Sequence, residues 1–171
     1  AHRQVMAVLR SLLFLLILVV VTPPYTLAVI LLCWPLPHRM RRRSVAPWVN
    51  FVIWLVKHLL GIPYRLLGAE NIPGRPVVVL AKHQSAWETI AYTTIFPPHI
   101  YVLKRELLWL PFLGWGLGLM SPIAINRANR KTALQRLIQL GGERLAQGFS
   151  IMIYPEGTRI ARGEKGVYKT G

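Results

Sequence analysis

His83 and Glu88 are the two residues whose types and spacing point most directly to chemistry. An apolar, β-branched run, Val77-Val78-Val79-Leu80, ends just before His83, and the carboxylate follows five positions later. On a continuous α-helix, residues five apart are turned roughly 140° from each other, so His83 and Glu88 would not share a face. They meet only if the chain turns after a strand and Glu88 falls in the first turn of the next helix. Ser85 is the predicted N-cap of that helix, with Glu88 as its capping-box partner. A carboxylate that holds a histidine fixes its tautomer and offsets the imidazolium charge, which is a general-base arrangement. The same residues also read as a plain capping box after a surface histidine. The local pattern leaves both open.

The elements that must position this pair come from the alternation downstream. Gly74 and Pro76 bound the Val77 run, which reads as a buried strand. A helix is predicted from Glu88 to Ile95, and after Pro97-Pro98 a strand from Ile100 to Leu103. A Gly-rich apolar stretch, Leu107 to Leu119, leads to a short strand from Pro122 to Ile125. Arg130 to Gln147 is an amphipathic helix with Leu134, Leu137, Ile138 and Leu145 inward and Arg136, Gln139, Glu143 and Arg144 outward. Gly148 closes it, and Ser150 to Tyr154 is another strand. Apolar strands alternating with helices predict an α/β sheet flanked by helices. Functional residues are then expected at the carboxyl ends of the strands.

Those ends carry His83, then Lys104-Arg105-Glu106, then Asn126-Arg127, then Pro155-Glu156-Gly157-Thr158-Arg159. Lys and Arg gathered from several strand ends form a basic pocket suited to a phosphate. Gly157 permits close backbone approach, with an N–H expected to be available. Taken singly, Lys104, Arg127 and Arg159 read as solvated surface charges. Their recurrence at successive strand ends weakens that reading.

The 171 residues carry a formal net charge of +15, and all six acids are Glu. Such an excess of Lys and Arg favours an anionic partner. The chain is 53% hydrophobic with a mean hydropathy of +0.40, too apolar for a typical nucleic-acid-binding domain, and it carries no such motif. A membrane together with a phosphate fits both facts. The single Cys33 excludes an internal disulfide, and scattered histidines without Asp offer no metal-ligand set.

Residues 11–36 are apolar and uncharged. As one helix they reach about 39 Å, against a hydrocarbon core of about 30 Å. Pro23-Pro24 is expected to kink or break that helix, giving one kinked span or two short re-entrant limbs. A cleaved signal peptide is disfavoured, since no small-x-small site follows Val21. Arg39, Arg41, Arg42 and Arg43 outnumber Arg3 and Arg10 on the other side. The main body is therefore expected on the cytoplasmic side of an inner, plasma membrane, with the arginine cluster on anionic headgroups. Residues 47–61 form a second predicted helix, with Trp48, Phe51, Val52, Leu55 and Leu59 in a stripe. It reads as interfacial with aromatic anchors, or as a core helix packed on the domain. The division expected is a membrane-attachment region, 1–64, and an α/β domain, 65–171.

His83-x4-Glu88, Lys104-Arg105-Glu106-Leu107 with Pro111 and Gly114, Ile125-Asn126-Arg127, and Tyr154-Pro155-Glu156-Gly157-Thr158-Arg159 occur in this order. Together they resemble the first three motif blocks of the glycerophospholipid acyltransferase family, most closely the bacterial lysophosphatidic acid acyltransferases. The resemblance covers roughly residues 65 to 171, and the hydrophobic N-terminal region is similar to the family's too. Two departures stand out. The acid of the first motif is usually Asp, whereas Glu88 is one methylene longer. The family pattern also continues past the Glu-Gly-Thr-Arg block, so the domain is expected to be incomplete at its C-terminus.

The resemblance implies a glycerol-3-phosphate acyltransferase-like fold and transfer of an acyl group from acyl-CoA or acyl-carrier protein to the sn-2 hydroxyl of 1-acyl-glycerol-3-phosphate. The product would be phosphatidic acid, and no cofactor is implied beyond the acyl donor. His83 would take the hydroxyl proton and Glu88 would orient it. Lys104, Arg105, Arg127 and the block Glu156, Gly157, Thr158 and Arg159 would hold the substrate phosphate, with backbone N–H groups near Gly157 supporting the loop or the oxyanion. Ser85 reads as a cap rather than a nucleophile. The alternatives are the same chemistry on another lysophospholipid or on glycerol 3-phosphate, and a non-catalytic basic protein on anionic membranes.

Overall fold

The computed structural model describes residues 2–126 and 128–168. Among these, two long helices precede a four-stranded sheet: α1 (His2–Cys33), α2 (His38–His58), β1 (Val78–Leu80), α3 (Trp87–Ile95), β2 (His99–Lys104), α4 (Leu113–Leu119), β3 (Ile123–Ile125), α5 (Arg130–Ala146) and β4 (Ser150–Ile153). The strand order is β1-β4-β2-β3, and all three pairings are parallel. Every strand therefore delivers its carboxyl end to one rim of the sheet. The expected α/β sheet flanked by helices is present.

Each face of the sheet is covered differently. On one, Ile100, Ile123, Phe149 and Ile151 form a buried cluster with Leu137, Leu140 and Leu145 of α5. Of the residues expected inward on this helix, Leu134 and Ile138 are instead 42% and 67% exposed, because the packed stripe runs through Leu140. On the other, Tyr101, Leu103, Met120 and Met152 pack with Val45 of α2, Tyr92 of α3 and Leu117 of α4. The Asn129 side chain caps α5 by accepting from the Thr132 N–H at 3.1 Å. After α5, Gly148 takes φ 84, the left-handed conformation that ends a helix without a Cβ penalty.

Four expectations are corrected. The Val77 run is not a buried central strand: β1 pairs with β4 alone among the described residues, and Val78 and Leu80 are 50% and 66% exposed. A strand with one neighbour cannot be enclosed as a middle strand is. Second, of the two shapes left open at Pro23-Pro24 the pair of short limbs is excluded, since the first helix is a single span of 32 residues that begins at His2. The prolines remove two N–H donors, but α2 grips the helix on both sides of them. The Trp48 indole donates to Thr22 Oγ1 at 3.1 Å, and the Tyr25 hydroxyl donates to the Ser44 carbonyl at 2.5 Å.

Third, α2 begins at His38 rather than at residue 47, and it buries Val49, Val52, Leu55 and Val56. The helix packs on the domain, as the competing core reading has it, while Trp54 is left exposed. Fourth, the arginine cluster does not face outward as a whole. Arg42 is buried and donates to the His99 carbonyl. Arg41 donates to the Leu36 carbonyl at 2.8 Å. Arg39 donates to the Gln147 carbonyl at 3.1 Å and lies over the Phe149 ring. Arg42 and Arg39 thus tie α2 to the sheet domain and Arg41 closes the turn between α1 and α2, while Arg39 and Arg43 remain exposed.

α1 is long and apolar enough to cross a membrane, with a mean hydropathy of 2.7 over its most apolar window and none of that window buried. Such exposure of a helix this apolar suggests membrane association.

Candidate active site

The site grows from the turn between β1 and α3. His83 Nδ1 lies 2.9 Å from Glu88 Oε1. The same oxygen accepts from the backbone N–H of Gln84 and of Ser85, each at 2.7 Å. Glu88 Oε2 accepts from the Ser85 hydroxyl, and Ser85 Oγ accepts from the Trp87 N–H at 3.1 Å. Regular helix starts at Trp87 after Ala86, one residue later than a Ser85 cap predicts. The reciprocal bonds of a capping box nonetheless centre on Ser85. One carboxylate thus does both jobs that looked like rivals. It caps the helix and holds the histidine.

Burial pushes the Glu88 carboxyl up, but the Ser85 hydroxyl and the Ser85 and Gln84 N–H groups outweigh it and hold the group down at about 2. A carboxylate ionised at neutral pH can only accept hydrogen bonds, so the imidazole proton sits on Nδ1. Nε2 is left with its lone pair, as a general base requires. Ser85 is spent on the carboxylate and on the helix end, which suits a cap and not a nucleophile.

Two further contacts fix His83, and neither is legible in the motif spacing. The Tyr154 ring stacks on the imidazole with centroids 4.3 Å apart and 27° between planes. The Glu156 side chain, 3% exposed, accepts from the His83 backbone N–H at 3.2 Å. The His83 carbonyl in turn accepts from the Ile160 N–H at 2.8 Å, and Lys82 Nζ donates to the Glu164 carbonyl at 2.8 Å. The loop after β4 is thereby laid along the loop after β1. A Cβ at Gly166 would come within 2.9 Å of Glu156 Cγ, so this loop folds closely over the buried carboxylate.

His83 lines a cavity of about 1000 Å³ together with Lys104, Gly157, Thr158 and Arg159. Three strand ends therefore meet at one opening. Lys104 is half-exposed and lies 3.7 Å from Glu106. Arg105 is exposed on the turn after β2 and is not part of the lining. Arg127 lies outside the described residues. Glu156 faces the His83 backbone and not the cavity, and the Gly157 N–H donates to the Tyr154 carbonyl at 3.0 Å instead of standing available; its φ is 67. His99 is fully buried, and burial with the nearby Arg42 charge lowers it to about 4; it sits at the opposite, amino end of β2.

Much of the remaining lining is apolar and comes partly from the N-terminal helices. Thr22, Tyr25, Thr26 and Trp48 contribute, with Leu103 and Leu117 from one face of the sheet and Leu137 from the other. A trace of this is in the sequence: Thr22, Tyr25 and Thr26 cluster around the proline pair in an otherwise apolar segment. The arrangement offers a base, cations and an apolar lining that suits a hydrocarbon chain. Among the described residues no three His, Cys, Asp or Glu side chains cluster as metal ligands.

Over 137 residues the chain is 49% identical to the 1-acyl-sn-glycerol-3-phosphate acyltransferase of Pseudomonas aeruginosa, covering 80% of this chain and 53% of that one. The Saccharomyces cerevisiae protein of the same name is 30% identical over 127 residues, 72% of this chain and 42% of the relative. The chain spans about half the length of these curated relatives. The crystal structure of the 1-acyl-sn-glycerophosphate (LPA) acyltransferase PlsC from Thermotoga maritima superposes with a TM-score of 0.73 at 23% identity, over 98% of this chain and 67% of that one. That likeness establishes the fold. The acyltransferase family model matches residues 64–171, the part that carries every strand and the His83–Glu88 pair, and the chain belongs to the acyltransferase family.

Proposed function

We propose that this chain carries the catalytic part of a 1-acyl-sn-glycerol-3-phosphate acyltransferase. The observation that carries the reading is the His83–Glu88 pair at 2.9 Å, where His83 lines a cavity shared with Lys104, Arg159 and many apolar side chains. The names of the Pseudomonas and yeast relatives support the same acceptor.

In this mechanism, His83 Nε2 takes the proton of the sn-2 hydroxyl as that oxygen attacks the carbonyl carbon of an acyl thioester. Glu88 offsets the charge that develops on the ring. The tetrahedral intermediate collapses, the carbon–sulfur bond breaks, and the imidazolium returns its proton to the leaving thiolate. Ester and thiol are the products, with no acyl-enzyme between. Arg159 and Lys104 hold the acceptor phosphate, with Thr158 on the same lining, and so place the hydroxyl against the base. Arg105 and Arg127 are kept as further phosphate ligands on the motif alone. Glu156 serves that set indirectly, by fixing the His83 backbone, and Gly157 by shaping the turn before Thr158. Acyl-CoA or acyl-carrier protein supplies the thioester, and the apolar lining takes the acyl chain. Substrate and product are lipids, which agrees with the apolar α1; we place the domain on the cytoplasmic face, where acyl thioesters are made.

The test is acyl transfer to 1-oleoyl-lysophosphatidic acid by the full-length protein in membranes, beside His83→Ala. Loss of about 10²–10⁴-fold is expected for removal of a general base. An unchanged rate would sink the mechanism. Inert wild-type protein that acylates another lysophospholipid or glycerol 3-phosphate would instead replace the acceptor.

A further inference from the structure

We infer that the segment from Leu107 to Trp115 is a second membrane-contact element, which seats the rim of the cavity on the lipid surface beside α1. Within nine residues, Leu107, Trp109, Leu110, Leu113 and Trp115 are 40%, 68%, 45%, 48% and 43% exposed. Soluble surfaces rarely gather so many large apolar side chains in one patch.

The patch is built rigidly. A 3-10 turn over Arg105–Trp109 is followed by α4, and the Gly114 N–H donates to the Leu110 carbonyl at 2.8 Å. A Cβ at Gly114 would fall 2.4 Å from the Leu107 carbonyl oxygen, so glycine is required for α4 to fold back this tightly. The Phe112 and Trp115 rings meet edge to face at 5.1 Å. A rigid fold that presents tryptophan and leucine outward, when it could have turned them in, points to an external apolar phase.

That phase is identified by what adjoins the patch. α4 packs beside α1, where Gly116 lies against the Thr26 side chain. From that contact α1 continues with Leu27, Leu31 and Leu32 exposed, and Trp34 follows in the turn beyond it, the last three exposed by two-thirds or more. The two surfaces are thus neighbours, and α1 is the helix long and apolar enough to enter a bilayer. Exposed Trp109 and Trp115 suit the boundary between headgroups and acyl chains. Lys104 and Arg105, exposed just before the patch, suit anionic headgroups. Leu107, Leu110 and Leu113 also line the cavity, so the same few residues join membrane surface to cavity wall. A lipid-borne ligand would then enter sideways from the bilayer without crossing water. The inference rests on α1 lying in the membrane and is independent of the reaction assigned to His83.

The experiment uses the full-length protein in a cysteine-free background, with single cysteines replacing Trp109, Trp115, Leu16 on α1, or Gln139 on α5 across the sheet. Each carries an environment-sensitive nitrobenzoxadiazole label and is reconstituted in phosphatidylcholine vesicles containing phosphatidylglycerol. Blue-shifted emission and several-fold quenching by doxyl-labelled lipid are expected at positions 109, 115 and 16, and neither at 139. Labels at 109 and 115 that behave like the one at 139 overturn the proposal. Labels there that are shielded from both water and doxyl lipid also overturn it, since protein would then cover the patch. An unquenched label at Leu16 removes the premise about α1, and the proposal falls with it.

Discussion

The Glu156 carboxylate accepts the backbone N–H of His83 at 3.2 Å, so the loop that follows β4 holds the residue that follows β1. Glu156 belongs by spacing with the phosphate-binding residues, yet it is buried beneath them. Its removal acts on the base through the backbone. Glu156→Ala leaves a part-buried donor without its acceptor and should cost about 1–3 kcal/mol of stability. The rate constant kcat should fall while the KM for the lipid acceptor changes little. Glu156→Gln keeps an acceptor oxygen and should recover most of the stability, as thermal denaturation and steady-state kinetics would show.

Glu88 makes stability depend on pH in a defined window. Its folded value of about 2 lies below the ordinary 4.5, so folding favours the ionised form. The stabilisation is fully present above about pH 4.5 and is lost as pH falls through about 2. The stability difference between wild type and Glu88→Gln should therefore narrow steadily as pH falls from about 4.5 towards about 2. A difference that widened over that interval would contradict the assigned hydrogen bonds.

Tyr154 stacks on the imidazole, and burial raises its phenol far above the ordinary value, so it acts as a neutral ring. Such a stack contributes about 0.5–1.5 kcal/mol, or up to roughly tenfold in rate if it is needed to hold the base in line. Tyr154→Phe should stay within about twofold of wild type by this reckoning, and Tyr154→Leu should lose kcat with little change in KM. Equal losses in both variants would assign the role to the hydroxyl instead.

Arg159 and Lys104 share the rim, but Lys104 has Glu106 at 3.7 Å to temper its charge. Arg159→Ala should raise the KM for the phosphate-bearing acceptor about 10–100-fold, the range for loss of a charged hydrogen bond. Lys104→Ala should raise it less. Both effects should weaken against an acceptor that lacks the phosphate.

Much of the fold and site was legible because it is written in local patterns. The α5 helix, the glycine after it and the apolar strands depend on residues within a turn or two of each other, although the inward face of α5 was only half legible, since Leu134 and Ile138 are exposed. The His83–Glu88 pair was legible for the same reason, since five residues across one turn bring the two side chains together. Tertiary structure decided what depends on distant partners. It left the Val77 run with one neighbouring strand among the described residues, tied Arg39 and Arg42 to the sheet domain, and kept α1 whole across Pro23-Pro24 through Trp48 and Tyr25. It also brought Thr22 and Thr26 to the cavity that His83 lines, and set Glu156 beneath His83 from 73 residues away. Burial and hydrogen-bond partners are properties of neighbours in space, and for these residues the neighbours come from elsewhere in the chain.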